Sequence, residues 1–442
     1  MEPGKSASPR LRYPLESEPP AAETAAVGFQ HVLAMFVGIV TPPLILAPAL
    51  GFDKLETAFF LSMALIASGL STFIQVRRFG PVGSGLLSVQ GTSFTFVSPS
   101  LLAAQMGGPG LLIGMSMATA AVEAGLSVCL QSARKVFPPV VSGAVVMLIG
   151  LVLIRAGVTD LAGGAGAPDF GSPRNLLLGL GVTAFILLFH SSRKPFLSSC
   201  CVALGMLAGY ALAAVLGLVD FEPVRQAGWL TVFKPLRWGL DFDRRLLLPF
   251  AAAYLVTTVE SMGDLTATSI VSDQPVSGPL YAKRLKGGVL ADALNSVLAG
   301  FLNSMPNTTF SQNNGLIQLT GVASRRVGFA VAAILVLLGM LPKLGALVAV
   351  MPRCVLGGAT VVMFGMIVLG GMRIIHEAGL SGRNVVIVAV SLGLGLGVEF
   401  VPEALSQVPK AARDVFSSGL ATGALAGMLL NLLLPERGQD RA

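Results

Sequence analysis

Apolar runs long enough to cross a lipid bilayer recur along the whole chain of 442 residues. A transmembrane helix needs about 20 consecutive, mostly apolar residues, and many runs meet or approach that length. They lie at residues 27–48, 57–75, 109–130, 138–155, 175–190, 196–218, 246–270, 287–303, 326–341, 344–372, 384–398 and 415–434. Only 12% of the residues are charged, whereas soluble domains carry about 25%. The sequence therefore predicts an all-α polytopic membrane protein.

Two further segments are short and interrupted by helix-breaking residues. Residues 84–103 are broken at Gly91, and residues 305–321 are broken at Pro306 and Gly315. With them, the expected total is about fourteen transmembrane segments. The two interrupted segments are then the third and the tenth.

The tenth segment carries a dense polar run over residues 307–315, in which Phe310 is the one apolar side chain. Hydrocarbon cannot satisfy amide and hydroxyl groups, so these side chains must face protein, water or a ligand. Polar residues at membrane depth are costly, and a functional site is their default explanation. The alternative is that they only hydrogen-bond neighbouring helices.

Basic residues fall in alternate loops between the apolar runs. They are Arg77, Arg78, Arg134, Lys135, Arg193, Lys194, Lys283, Arg284, Lys286, Arg325, Arg326, Arg373 and Arg383. By the positive-inside rule, this alternation predicts that both termini are cytoplasmic in a multi-pass protein of the cell membrane. Because the basic residues form no patch, the net charge of +7 does not indicate nucleic-acid binding.

An internal repeat divides the chain into two halves. Pro138 and Pro352 each open an apolar segment, and Gly143 and Gly357 follow five residues later. These would be the fifth and twelfth segments, seven apart, as are the two interrupted segments. An odd number of segments per half inverts the second copy, and paired interrupted segments point to the binding site of a transporter.

We therefore expect a single transporter unit over residues 26–435, with a first repeat at about 26–218 and a second at about 246–435. The polar residues 1–25 are expected to form a disordered cytoplasmic tail. A short cytoplasmic tail, residues 436–442, is expected to follow the unit.

Carboxylates within the apolar segments are few. Glu260 and Asp264 are four residues apart, so they share one face of the eighth helix. An ionised carboxylate at the bilayer centre costs about 2.5–3.5 kcal/mol on insertion scales. A group there that loads and unloads a proton suits coupling to a proton gradient, although bonds to helix ends are the alternative. For Glu123 alone, such a structural bond is the favoured explanation.

The residues after Pro306 are expected to start a half-helix whose first free N–H groups point into a cavity. Ser311 and Gln312 would lie in its first turn. The Gln312 amide offers an acceptor and two donors, which suit the edge of a heterocyclic base. Phe310, and Phe94 in the third segment, could stack on a flat ring, with packing as the alternative.

Other types of site find no support in the sequence. His31 in the first segment is read as a helix contact rather than a proton carrier. His, Cys and carboxylate residues show no metal-ligand spacing, and no nucleophile–base pair is identifiable. We therefore expect a transporter that needs no cofactor apart from the coupling proton, and not an enzyme.

Residues 312–321 resemble the signature of the nucleobase–ascorbate transporters, the nucleobase:cation symporters of the second type. That signature is Gln, Glu or Pro, then Asn, any residue, Gly, four residues of any type, Thr, and Arg, Lys or Gly. Residues 28–36 are similar to the family's first helix, and residues 91–94 to its third. The resemblance covers nearly the whole chain after the tail.

The resemblance implies fourteen segments in two inverted seven-segment repeats, with short strands in the third and tenth. Segments 1–4 and 8–11 would form a core domain, and segments 5–7 and 12–14 a gate domain. It also implies a homodimer through the gate domains.

It further implies two sets of site residues. The substrate-binding set is Glu260, Gln312, Phe94, Phe310, Ser93 and Ser311. In that set Glu260 would hydrogen-bond the base and Gln312 would read another part of its edge. The set that couples protons or organises the site is Asp264, Asp292, Asn313 and His31.

The first signature residue bears on the substrate. In the family, xanthine and urate carriers tend to have Gln there and uracil carriers Glu, so Gln312 resembles the former. We therefore expect proton-coupled uptake of xanthine, urate or both by alternating access. The alternative is a uracil or other pyrimidine symporter of the same fold.

Overall fold

The computed structural model describes residues 11–130, 138–230, 233–409, 416 and 418–434. The expected basic pair Arg134 and Lys135 and the expected C-terminal tail, residues 436–442, lie outside the described residues. Within them the chain is mostly helical, as predicted.

The described residues of the first half form a series of α-helices and one strand. They are α1 (Ala21–Ala49), α2 (Lys54–Arg77), β1 (Gln90–Thr92), α3 (Val97–Val128), α4 (Pro139–Leu161), α5 (Pro173–His190), α6 (Pro195–Ser199), α7 (Cys201–Val215) and α8 (Glu222–Gln226).

The described residues of the second half likewise form a series of α-helices and one strand. They are α9 (Leu247–Val271), α10 (Gly278–Phe301), β2 (Asn307–Thr309), α11 (Gln312–Thr320), α12 (Arg325–Gly339), α13 (Pro342–Ala349), α14 (Arg353–Ala378), α15 (Gly382–Phe400) and α16 (Gly419–Leu433).

Among the described residues, 8 helices are long and apolar enough to cross a membrane. The count is 9 if α12 and α13, which bend by 76° at their junction, form one span. Helix α3 contains the non-helical Gly108 (φ 74°) just before Pro109, at the expected boundary of the third and fourth segments. The protein is thus a multi-pass membrane protein, and the total of fourteen segments stays a prediction.

The helices pack in two groups. In the first group, α2 packs on α10, α12 and α13, α3 packs on α9 and α10, and α1 packs on α12. In the second group, α14 packs on α4, α5 and α7, while α15 and α16 pack on α4. The expected run 344–372 is divided between the groups, with α13 in the first and α14 in the second. The division into a core and a gate domain stays a prediction.

Helices α4 and α14, which follow the repeated prolines, lie directly against each other. A Cβ on Gly143, near the start of α4, would lie 2.9 Å from the carbonyl oxygen of Gly371, near the end of α14. A Cβ on Gly357, near the start of α14, would lie 2.0 Å from the Leu161 nitrogen at the end of α4. The helices are therefore antiparallel, and small residues let their backbones approach closely.

The two strands form an antiparallel ribbon, buried along its whole length, in which Gln90 pairs with Thr309 and Thr92 with Asn307. They lie within the two segments that the sequence marks as interrupted. Pairing in the ribbon provides hydrogen bonds for backbone N–H and C=O groups, which hydrocarbon cannot bond and an interrupted helix leaves without partners.

The expected half-helix after Pro306 begins later than predicted. Residues 307–309 are extended, and α11 begins only at Gln312. Gly315 lies inside α11 instead of interrupting the segment, and the helix ends at Gly321, which is left-handed with φ 67°. Pairing with β1 therefore overrides the helix-starting tendency of proline.

The tail expected to be disordered over residues 1–25 is ordered from residue 11 onward. The backbone N–H of Tyr13 donates to the Gly321 carbonyl (3.1 Å), and Ala323 N–H donates to the Tyr13 carbonyl (2.9 Å). Leu15 is only 2% exposed, and α1 already begins at Ala21. Composition suggested disorder because it does not reveal these tertiary partners.

Candidate functional site

Glu260 and Asp264 lie on the face of α9 that is turned toward the ribbon. The Thr95 hydroxyl, just after β1, donates to Glu260 Oε2 over 3.4 Å. The Thr309 hydroxyl, at the end of β2, donates to Asp264 Oδ2 over 2.9 Å. Both carboxylates are partly exposed, so each retains acceptor capacity beyond these bonds.

Asp292 on α10 lies deeper and is fully buried. It accepts hydrogen bonds from the Ser261 hydroxyl and from Gln75 Nε2 of α2 at 3.4 Å. Ser261 also lies 3.2 Å from the Thr308 hydroxyl oxygen of β2. Asp292 therefore holds α9, α2 and, through Ser261, the ribbon together.

Gln312 is the first residue of α11 and Ser311 is its N-cap. Both side chains are exposed. Helix α11 packs on α9, and the Thr268 hydroxyl of α9 donates to Asn314 Oδ1 over 2.7 Å. The Gln312 amide is thus presented from an element fixed to the helix that carries Glu260.

The two candidate stacking residues differ in exposure. Phe310 is 7% exposed, and its ring lies against the backbones of Gly38 and Gly91. Phe94 is partly exposed and meets the ring of Phe364 on α14 edge-on, with centroids 5.8 Å apart. Phe94 therefore has free ring surface, whereas Phe310 mainly fills the space between α1 and β1.

His31 of α1, Ser93 directly after β1 and Asn313 of α11 are buried. The Asn313 side chain donates to the Leu87 carbonyl and lies beside the His31 ring. The Ser93 N–H donates to the Pro306 carbonyl over 2.9 Å. The predicted roles of these three residues, substrate binding for Ser93 and site organisation or proton coupling for His31 and Asn313, stay predictions.

The chain is similar to known permeases over almost its whole length. A model named Xan_ur_permease, described as a permease family, matches residues 22–404. Xanthine permease XanP of Escherichia coli strain K12 is 46% identical over 97% of this chain and 96% of that protein. The chain belongs to this permease family. The resemblance noted in the sequence is thereby confirmed, and the permease is a transporter and not an enzyme.

A second xanthine permease of the same strain, XanQ, is 42% identical to the permease over 96% of this chain and 94% of that protein. Among solved structures, the murine anion transporter Slc26a9 is similar with a TM-score of 0.64 and 11% sequence identity. That match covers 95% of this chain and 69% of the other. At this identity, the likeness shows a shared fold alone.

Sequence reasoning missed several hydroxyl and amide groups of the permease site. Thr95, Ser261 and Gln75 contact the carboxylates, yet none was expected to do so. One sequence feature could have pointed to them, namely a polar side chain inside an apolar run, such as Gln75 near the end of α2. Such a signal identifies a buried polar group but not its partner on a distant helix.

Proposed function

We propose that this permease imports an oxidised purine, xanthine or urate, together with protons. The substrate named for XanP and XanQ supports this proposal, as does the glutamine at the first signature position. The base would bind between α9, the start of α11 and the turn after β1, in the first helix group.

The observation that carries the proposal is that Glu260 and Gln312 belong to two helices, α9 and α11, that pack on each other. Glu260 receives one long hydrogen bond, from Thr95 at 3.4 Å, so its carboxylate can accept the N–H groups of a base. Gln312 is exposed at the start of a helix that packs on α9, and its amide complements adjacent C=O and N–H groups. Phe94 offers a ring face for stacking.

Transport would proceed by alternating access. The first helix group, as the core domain, would move against the second, as the gate domain, around the fixed site. We further propose the fourteen-segment inverted-repeat arrangement, cytoplasmic termini and a homodimer through the gate domains. The antiparallel packing of α4 on α14 supports the repeat, since equivalent segments of inverted halves run in opposite directions.

The test is uptake of labelled xanthine by cells that lack their own purine and pyrimidine carriers. Glu260→Gln removes the negatively charged acceptor. Its uptake rate should fall at least about a hundredfold, while the amount of permease in the membrane stays normal. Glu377→Gln, at an exposed position near the end of α14, is the matched control and should transport normally. Near-normal uptake by Glu260→Gln would refute the role of Glu260.

The same assay addresses the substrate and the driving force. Unlabelled urate should compete with labelled xanthine, and uracil should not. Effective competition by uracil would favour the pyrimidine carrier instead. Accumulation above the external concentration should collapse with a protonophore, and accumulation that survives it would exclude proton coupling.

A further inference from the structure

A fourth buried carboxylate, Glu123 on α3, plays no part in the proposed recognition of the base. It is 1% exposed, and α3 packs on α9 and α10. Its Oε1 receives only a long hydrogen bond, 3.5 Å from the Thr257 hydroxyl. Its Oε2 has no hydrogen-bond partner among the described residues.

Glu123 is bonded to Thr257 and Asp292 to Ser261. Thr257 and Ser261 lie one turn apart on the same face of α9, the helix that also carries Glu260 and Tyr254. The Tyr254 hydroxyl donates to the Ser116 carbonyl over 2.8 Å, so it does not compensate a negative charge on Glu123. In the part of the chain that the structure describes, no ion pair involves Glu123, Asp292 or Glu260.

Glu123 and Asp292 are the two most buried of these carboxylates, at 1% and 0% exposure. Two ionised carboxylates in a low-dielectric interior repel each other. Neither Glu123 nor Asp292 has a cationic side chain among the described residues to balance its charge. A single proton removes that repulsion and supplies a donor to the other carboxylate. The unpartnered Oε2 of Glu123 is an oxygen at which such a proton can reside.

We propose that Glu123 and Asp292 form the site that holds the coupled proton, separate from the base-binding carboxylate Glu260. This inference rests on the proposed function, and it resolves a conflict within it. Glu260 must be ionised to accept N–H groups from the base, so the proton that travels with the base needs another acceptor.

The contacts of Asp292 give this proton a route to influence substrate binding. Ser261, which donates to Asp292, lies 3.2 Å from Thr308 and 3.4 Å from Thr309. Thr309 in turn donates to Asp264. A proton that binds at the pair changes the acceptor of Ser261, and that change reaches β2 directly. The proton arrives from water on one side and leaves to water on the other.

Purified permease in liposomes tests the proposal with labelled xanthine. One pH unit across the membrane can drive about tenfold accumulation per coupled proton. Glu123→Gln should lose this accumulation, giving a ratio near one, and still exchange labelled for unlabelled xanthine at equal pH. Glu399→Gln on α15, outside the cluster, is the matched control and should accumulate normally.

The outcomes separate the two proposals. If the unaltered permease neither accumulates nor exchanges xanthine, the proposed function fails. If it accumulates xanthine and Glu123→Gln does so equally, with the same dependence on external pH, only the proton site is overturned. Should Glu123→Gln fail to insert, Glu123→Asp keeps the carboxyl group on a shorter side chain. That variant should shift the external pH of half-maximal uptake, and an unchanged midpoint would overturn the proposal.

Discussion

At the scale of single residues, the polar groups of the tenth segment fall into two classes. Asn307, Thr308, Thr309 and Asn313 are buried and bonded to neighbouring elements. Gln312 is exposed and has no such bond. The same composition therefore serves two purposes, since most of these side chains hold the ribbon and α11 in place while Gln312 stays available to a ligand.

Gln312→Glu is predicted to change substrate preference. The substitution keeps the size of the side chain but replaces the amide donors with a negatively charged acceptor. Xanthine uptake should fall at least tenfold, and competition by other bases should strengthen relative to xanthine. An unchanged competition profile would count against direct reading of the base by Gln312.

The matched control for this prediction is Gln318→Glu, on the same helix but beyond its first turn. It makes the same chemical change away from the helix N-terminus. Comparable losses in both variants would point to a general effect of charge on α11 rather than to recognition.

At the scale of elements, the ribbon is the part of the fold on which the site most depends. A Cβ on Gly91 would lie 2.5 Å from Phe310 Cζ and 2.9 Å from Ile39 Cγ1. The Phe310 ring is itself enclosed, so it cannot move aside freely. Glycine is therefore required at this position of β1 by the close approach of the ring.

Gly91→Ala is predicted to destabilise the permease by about 1–3 kcal/mol, the usual cost of overpacking. It should also reduce uptake, because a shift of β1 displaces Thr95 from Glu260. Thermal unfolding in detergent and xanthine uptake measure the two effects. Gly125→Ala on α3, whose added Cβ would meet nothing within 4 Å, should be neutral, and equal losses in both variants would contradict the argument.

The elements also show how far the sequence could predict this fold and site. The strands in the third and tenth segments were implied by the family resemblance, whereas the interruptions by themselves suggested a half-helix. Four-residue spacing placed Glu260 and Asp264 on one helix face. The start of α11 was misplaced because the extended conformation of residues 307–309 comes from pairing with β1, which local propensity does not report. Phe310 was considered for stacking because nothing in its own segment reveals the glycines of α1 and β1 that enclose it.

At the scale of the whole molecule, side-chain hydrogen bonds between described residues join the two helix groups. One of them joins Ser98 at the start of α3 to Ser418, the N-cap of α16, with hydroxyl oxygens 3.2 Å apart. If the groups move against each other during transport, this distance must change. The pair therefore offers a direct test of alternating access.

A disulfide between cysteines at these two positions is predicted to lock the permease. The close hydroxyl groups indicate that cysteine side chains at the same positions could bond. With Cys129→Ser removing the exposed native thiol, oxidation should abolish xanthine uptake and reduction should restore it. Single-cysteine variants should be insensitive to oxidant, and full uptake by the cross-linked protein would exclude relative motion at this contact.

The ordered residues 11–18 have a practical consequence for anyone handling this protein. These residues form backbone hydrogen bonds with Gly321 and Ala323 in the loop between α11 and α12. The Ser324 hydroxyl also donates to the Ser17 carbonyl over 2.6 Å. A purification tag fused close to Tyr13, or a truncation that removes Tyr13, would disturb the hydrogen bonds that hold the end of α11, the short helix that presents Gln312. Handles for labelling and immobilisation are better placed elsewhere on the molecule.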